Sequence, residues 1–252
     1  MLIAQISDTH LALDTPDADR RRADFAAVVA DINALDPAPD LIVHSGDIVH
    51  NGLAEEYAEA RAILERAQAP VYAMAGNKDE RGNLSAAFSA DGYFDPGSDF
   101  IQYAVEGHPV RLVMLDTVSI SSNKGDFCAR RIEELHRLIG ADPVRPVAVF
   151  LHHPPFEVLV GPERMHFESQ EVMSRLCDAL RQSGRVSALF CGHVHRPTEG
   201  HVGDIPVTVA TAVATTLRKG DYPAQMEGRP IYYLHRFDPS GGATTETRVA
   251  GG

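Results

Sequence analysis

Apolar residues along the chain fall into short continuous runs, separated by longer stretches in which they recur every three or four positions. The runs are Leu2 to Ser7, Leu41 to Ser45, Val71 to Ala75, Phe100 to Val105, Val110 to Leu115, Val147 to Leu151, Val186 to Cys191, Val207 to Ala210 and Ile231 to Phe237. Each is short for a helix and long enough for a strand with both faces covered. Between them Phe25, Val28, Val29, Ile32 and Leu35 share one helical face, as do Tyr57, Ala60, Ile63, Leu64 and Ala67. Ile132, Leu135, Leu138 and Ile139 make a third face, and Val172, Leu176 and Leu180 a fourth. Strands alternating with amphipathic helices predict a layered α/β architecture. The runs at 100 to 105 and 110 to 115 are separated by Glu106-Gly-His-Pro109, which predicts a hairpin. The sheets are therefore expected to be mixed, not purely parallel, and to pack as a pair.

A chain of 252 residues that is 44% hydrophobic can bury a sizeable core, and no linker divides it, so one domain over 1–252 is expected. The tail from Ser240 to Gly252, rich in Gly and Thr, reads as loose or as one last edge strand. The opening MLIAQISDTH has neither a basic start nor a cleavage pattern, so no secretory leader is expected. No apolar run is long enough to cross a bilayer, and no membrane partner is expected. Cys128, Cys177 and Cys191 are odd in number and widely spaced, which points away from a disulfide framework and toward a reducing, cytoplasmic compartment. A formal net charge of -12 disfavours nucleic-acid polymers and anionic lipid as partners. Bound divalent metal would invert that field locally.

The chemistry-bearing residues collect where the strands end. Five ends release His, Asp or Asn: Ser7-Asp8-Thr9-His10, Ser45-Gly46-Asp47, Gly76-Asn77-Lys78-Asp79, Leu151-His152-His153-Pro154, and Cys191-Gly192-His193-Val194-His195. In extended backbone, residues two apart point to the same side, so Asp8 and His10 can reach one ion, and so can His193 and His195. Asp8, His10, Asp47, Asn77, His152, His193 and His195 form a mixed nitrogen and oxygen donor set with no sulfur required. Such a set suits Mn, Fe, Co or Zn better than Mg. Seven side chains are too many for one ion, and a carboxylate can bridge two, so a pair of metals roughly 3.5 to 4 Å apart is the economical solution, with Asp47 the natural bridge.

These blocks, in this order, resemble the calcineurin-like metallophosphoesterase superfamily: Asp-x-His, Gly-Asp, Gly-Asn-His-Asp/Glu, an isolated His, and Gly-His-x-His. The resemblance spans residues 8 to 195 with one departure, Lys78 where the superfamily carries His. It implies a four-layer α-β-β-α sandwich of two mixed sheets flanked by helices, with metals at the strand C-termini. Carried over residue by residue, it places Asp8, His10 and His195 on one divalent ion, Asn77, His152 and His193 on the other, and Asp47 between them. His152 is preferred to His153 because it comes first after the apolar run. Asp79 is expected to orient ligands or cap the next turn. Asp47-Ile-Val-His-Asn-Gly-Leu-Ala-Glu-Glu-Tyr57 and His152-His-Pro-Pro155 are similar to bacterial class III cyclic-nucleotide phosphodiesterases and glycerophosphodiesterases.

The implied activity is hydrolysis of small phosphodiesters by in-line attack of a hydroxide bridging two transition metals, Mn or Fe foremost, with Zn or Co as further choices. Lys78 then serves as a phosphoryl clamp or as the acid for the leaving oxygen. Asn77 contributes to catalysis through the metal it holds. His50, His153 and His166 are candidate substrate contacts, although a surface loop position is the plainer reading of His166. Phosphomonoesterase or nucleotide or UDP-sugar pyrophosphatase action with the same metals is the alternative, and a non-catalytic metal-binding interaction scaffold is the alternative of another class. Homodimerisation is implied by the resemblance alone.

Overall fold

The computed structural model describes residues 1–95, 97–159 and 164–251. In chain order it runs β1 (Leu2–Ile6), α1 (Ala18–Asn33), β2 (Leu41–His44), α2 (Ala54–Leu64), β3 (Val71–Ala73) and α3 (Arg81–Ala87). It continues with β4 (Tyr103–Val105), β5 (Arg111–Leu115), α4 (Ala129–Gly140), β6 (Val147–Leu151), α5 (Gln170–Gln182) and β7 (Val186–Cys191). The last strands are β8 (Thr198–Val202), β9 (Ile205–Val209), β10 (Ile231–Phe237) and β11 (Ala243–Val249).

Two mixed sheets result, in the orders β11-β10-β1-β2-β3 and β4-β5-β6-β7-β9-β8. In the first, β1, β2 and β3 are parallel, while β10 and β11 complete one edge antiparallel. In the second, β5, β6, β7 and β9 are parallel and the edge strands β4 and β8 are antiparallel. The hairpin expected at 100 to 115 pairs Tyr103 with Met114.

Strand alternation separates the layers. On β5 and β6, Leu112, Met114, Ala148 and Phe150 join the core that includes Ile42 and Val43 of the first sheet and the α1 and α2 faces. Their neighbours Val113, Leu115, Val147, Val149 and Leu151 pack instead with Leu135, Leu138 and Ile139 of α4 and Leu176 and Leu180 of α5. Both faces of these strands are buried, which is why the sequence shows continuous apolar runs. Each fully buried Leu or Phe contributes about 1.5–3 kcal/mol. No helix of the described residues is long and apolar enough to cross a membrane.

Of the two readings of the tail, the edge strand is the one formed: β11 pairs with β10 from Ala243 opposite Phe237 to Val249 opposite Ile231. Two other elements differ from the sequence reading. The polar segment Thr198–Val202 forms β8, held by main-chain pairing to β9. Part of the stretch after Asp79 is helix α3, whose N-cap Glu80 accepts the Gly82 and Asn83 N–H groups through its side chain.

Candidate metal centre

β1, β2 and β3 end at one edge of the first sheet, and the loops that follow remain hydrogen-bonded to one another past the strands. Asp8 N–H donates to the Gly46 carbonyl and His10 N–H to the Asp47 carbonyl, both at 3.0 Å. From the second sheet, Gly192 N–H donates to the His152 carbonyl at 3.0 Å. Ligands of open α/β sheets sit at such carboxyl ends.

The left-handed backbone of these loops does what strand alternation was expected to do. Asp8, His10, Asp47, His193 and His195 have φ of 54°, 42°, 51°, 72° and 56°, and among the described residues they are the non-glycine positions with positive φ. Asp8 and His10 therefore converge through a left-handed turn beyond β1, not as i and i+2 of a strand. Each such residue costs of order 1–3 kcal/mol and persists only where the surroundings impose it. The glycines before these residues permit the close approach: a Cβ on Gly192 would lie 2.1 Å from Ser7 Oγ and 2.6 Å from Asp8 Oδ2.

The donor atoms crowd together. One ligand atom each from Asp8, His10, Asp47 and His195 lie within 4.8 Å of one another, as do those of His152, His153 and His193. His10 Nε2 is 3.1 Å from His195 Nε2 and 3.4 Å from Asp47 Oδ2. His195 Nε2 is 3.3 Å from Asp8 Oδ1. On the other side, Asp47 Oδ1 is 3.5 Å from His152 Nε2. Asn77 Oδ1 is 2.8 Å from His193 Nδ1 and 3.3 Å from His152 Nε2. Two donors at about 2.1 Å from a shared ion sit about 3 Å apart at right angles, so these spacings are those of coordination shells. Asp47 faces both groups, one oxygen to each.

Imidazole orientation supports the same reading. His152 Nδ1 donates to the Ser45 carbonyl and His195 Nδ1 to the Leu217 carbonyl, both at 2.9 Å. A ring that gives its Nδ1 proton to a carbonyl presents Nε2 as the ligand. Burial opposes charge on Asp47, yet His152, His10 and the Lys78 N–H hold its carboxyl well below the usual range. Burial also opposes charge on His152, and Asp47 overcomes it, pushing the imidazole up to about 9. Burial lowers His10 to about 4, with Asp47 opposing. Burial, His153 and His152 keep His193 neutral, well below its usual range. Two buried carboxylates that pair with no Arg or Lys side chain among the described residues, ringed by imidazoles of which two are anchored to carbonyls, make a donor set suited to divalent cations.

Around these groups the sequence candidates divide. His153 is fully buried, with Nδ1 on Thr117 Oγ1 (2.8 Å) and Nε2 on the Asn123 carbonyl (3.2 Å), so its expected contact with substrate gives way to packing against His193. His166 is 4% exposed, its Nε2 is 3.2 Å from the Val158 carbonyl and its ring centroid is 5.1 Å from His193. That corrects the surface-loop reading of His166; residues 160–163 of the same loop lie outside the described residues. His50 is half-buried, its ring centroid 5.7 Å from His10, and its Nδ1 is enclosed without a partner among the described residues. Burial, Arg21 and Lys78 together lower its imidazole. Lys78 is half-buried, donates its N–H to Asp47 Oδ1 at 2.7 Å, and its ammonium makes no ion pair among the described residues.

Asp79 is nearly buried and accepts from Gly76, Ile48 and Val49 N–H at 2.8, 3.2 and 3.3 Å and from the Tyr57 hydroxyl at 2.9 Å. It ties the Asp47 loop to the Asn77 loop, and burial with Asp47 raises its carboxyl to about 7. Sequence reasoning missed the carbonyls of Ser45 and Leu217 and the side chain of Asn123, whose Oδ1 accepts from Asn77 Nδ2 at 3.5 Å. No residue-type signal marks a carbonyl acceptor.

A two-sheet sandwich with carboxylates and imidazoles gathered at its strand ends defines a metal-dependent hydrolase class. The profile of the calcineurin-like phosphoesterases matches residues 1–197, and the chain belongs to that family. Members use pairs of divalent metals, and this donor set fits them. The chain is 31% identical over 260 aligned residues to a probable glycerophosphodiester phosphodiesterase of Arcobacter nitrofigilis, covering 100% of this chain and 94% of the relative. It is 25% identical to a 3',5'-cyclic adenosine monophosphate phosphodiesterase of Pseudomonas aeruginosa, covering 87% and 79%. In fold it is similar to a dimetal phosphatase of Danio rerio, with a TM-score of 0.75 at 14% identity over 99% and 96% of the two chains. A Plasmodium protein described as the anchor in the inner membrane complex shares the fold at a TM-score of 0.68 and 12% identity, over 100% and 85%. Fold alone therefore does not decide between enzyme and scaffold.

Proposed function

We propose that this chain, with residues 1–252 working as one domain, is a dimetal phosphodiesterase for small phosphodiesters such as glycerophosphodiesters or cyclic nucleotides. The observation that carries this is the convergence of Asp8, His10, Asp47, Asn77, His152, His193 and His195 at coordination-shell spacings, five of them in left-handed backbone. Asp8, His10 and His195 would hold one cation, Asn77, His152 and His193 the other, with Asp47 common to both. Mn or Fe suits this set, and Zn or Co shares its chemistry. When bound, the pair supplies Lewis-acid polarisation of the phosphoryl group and activation of water for in-line attack. Both substrate groups are drawn from the activities for which the relatives are named. A cytoplasmic setting is supported by Cys128, Cys177 and Cys191 all being free.

The chain's own residues shape the reaction around that pair. The Ser45 and Leu217 carbonyls orient the imidazoles, and Asp79 holds the two loops that carry Asp47 and Asn77 at a fixed separation. Lys78 supplies a positive charge beside the phosphoryl oxygens where relatives of the superfamily use an imidazole. His50, next to it, contacts the substrate.

The test strips the protein of metal, re-adds Mn, Fe(II), Co and Zn singly, and measures bound metal and turnover on cyclic nucleotides, glycerophosphodiesters, monoesters and UDP-sugars. Two equivalents per chain and diester turnover are expected, with both lost in Asp47→Asn. Turnover that survives complete chelation, or that is confined to monoesters, overturns the reading. Lys78→Ala should lower kcat by roughly 10² to 10⁴ with metal content unchanged; unaltered turnover returns Lys78 to an ordinary surface role.

A further inference from the structure

The Glu-Tyr pair at 56 and 57 is not used by the metal centre, yet both side chains are fully buried in the first turn of α2. Glu56 accepts from Asn51 N–H (2.9 Å), Asn51 Nδ2 (2.8 Å) and Leu53 N–H (3.3 Å), folding the turn that follows His50. Tyr57 reaches the other way. Its hydroxyl donates to Asp79 Oδ1 at 2.9 Å and accepts the Glu80 N–H at 3.1 Å.

Lys78 lies between these anchors. Its own N–H is fixed to Asp47 Oδ1 at 2.7 Å, Asp79 N–H closes the turn on the Gly76 carbonyl at 3.1 Å, and the Tyr57 hydroxyl joins the Asp79 side chain to the Glu80 N–H. The shape of a phenylalanine would fill the same space in the core. What the hydroxyl adds is a junction between the Asp79 side chain and the Glu80 N–H, one and two residues beyond Lys78. A lysine side chain has four rotatable bonds, so its charge is preorganised only as far as its backbone is held.

We propose that Tyr57 is a positioning residue for Lys78: its hydroxyl locks the Gly76 to Glu80 turn so that the ammonium meets the phosphoryl group of the substrate. The proposal rests on the reading of Lys78 as the phosphoryl clamp. Without the hydroxyl, Glu80 N–H loses its acceptor and Asp79 keeps three backbone donors. The metal loops thus remain tied while the lysine turn loosens.

The test is a double-mutant cycle with Tyr57→Phe, Lys78→Met and the pair, in the metal-loaded protein, reading kcat, KM, bound metal and melting temperature with a glycerophosphodiester. Tyr57→Phe should retain two metals per chain and a KM within about twofold, and lose roughly tenfold in kcat. In the Lys78→Met background the same change should cost less than about twofold, because the group it positions is gone. A full tenfold loss in both backgrounds, an unchanged kcat in Tyr57→Phe, or loss of metal from Tyr57→Phe overturns the positioning role. A Lys78→Met protein with unaltered kcat sinks the clamp reading itself, a different failure from additivity, and the positioning role with it.

Discussion

Gly76 gives the sharpest test of the centre's geometry, because a single methyl group there is aimed at the carboxylate shared by both donor groups. A Cβ on Gly76 would lie 2.2 Å from Asp47 N, 2.3 Å from Asp47 Oδ1 and 2.8 Å from His152 Cε1. Comfortable contact needs about 3.5 Å, so the loops must part by about 1.2 Å. Neither neighbour can yield easily. Asp47 holds a left-handed backbone at φ 51° and receives the Lys78 N–H on that oxygen. His152 is fully buried and anchored to Ser45.

A productive site tolerates displacements of about 0.5 Å, and a 1 Å misplacement costs about 10² in rate. Gly76→Ala should therefore lower kcat/KM by at least about 10² and reduce bound metal. The accompanying loss of stability should be about 3 kcal/mol, the upper part of the range for overpacking, since one atom met is backbone and the other two belong to side chains that are buried and anchored. Gly140→Ala, where no atom lies within 4 Å and the helix α4 ends, is the control: equal activity and stability unchanged or about 0.5–1 kcal/mol higher. Metal analysis, steady-state kinetics and urea unfolding of the two variants read all of this. A Gly76→Ala protein with full metal content and wild-type turnover would refute the claim that this contact sets the spacing of the centre.

His235 offers a pH test away from the site. It is fully buried in β10, bonded to Gln5 Oε1 (2.8 Å) and Thr245 Oγ1 (2.9 Å), and burial lowers its imidazole to about 3. Above the unfolded value near 6.5 both states are neutral; below it the unfolded chain takes up a proton that the folded chain refuses, so stability is lost as pH falls toward 3. Between pH 7.5 and 5 the loss is about 2 kcal/mol, and His235→Gln should remove that slope in urea titrations run in chelator; equal slopes contradict it. Chelation itself should lower the melting temperature by about 5 to 10 °C, the effect of losing a ligand present at about a hundred times its Kd. An unchanged melting temperature would show that the fold gains nothing from metal.

The parts of the fold that were legible are those where burial decides conformation. Continuous apolar runs gave the central strands because β5 and β6 bury every side chain. The face of Phe25, Val28, Val29 and Ile32 announced α1 because that stripe is its buried side. β8 escaped notice because Thr198–Val202 alternates half-buried and exposed polar positions around Gly200, and main-chain bonds to β9, not packing, make it a strand. β11 was legible only as one of two readings of the tail, since much of its length is solvent-facing. An edge strand is decided by its neighbour, and a neighbour distant in sequence leaves no local trace.

At the centre, residue types were readable and backbone was not. Asp, His and Asn at strand ends identify a donor set wherever they occur, but a left-handed Asp8 or His195 is imposed by cross-loop bonds such as Asp8 N–H to the Gly46 carbonyl and Lys219 N–H to the His195 carbonyl. Strand alternation was the wrong route to the convergence of Asp8 with His10, which a left-handed backbone produces instead. The same limit explains His153 and His166. A histidine beside ligand residues looks available in sequence, and only packing against Thr117, Asn123, Val158 and His193 shows that these two are enclosed. Lys78 is the opposite case. Its ammonium has no carboxylate partner among the described residues, in a chain carrying 35 acidic residues against 23 basic, and it stands on a turn held by buried groups on both sides. A cation without a carboxylate partner among the described residues, on a turn bonded to Asp47, is the basis of the proposed phosphoryl clamp.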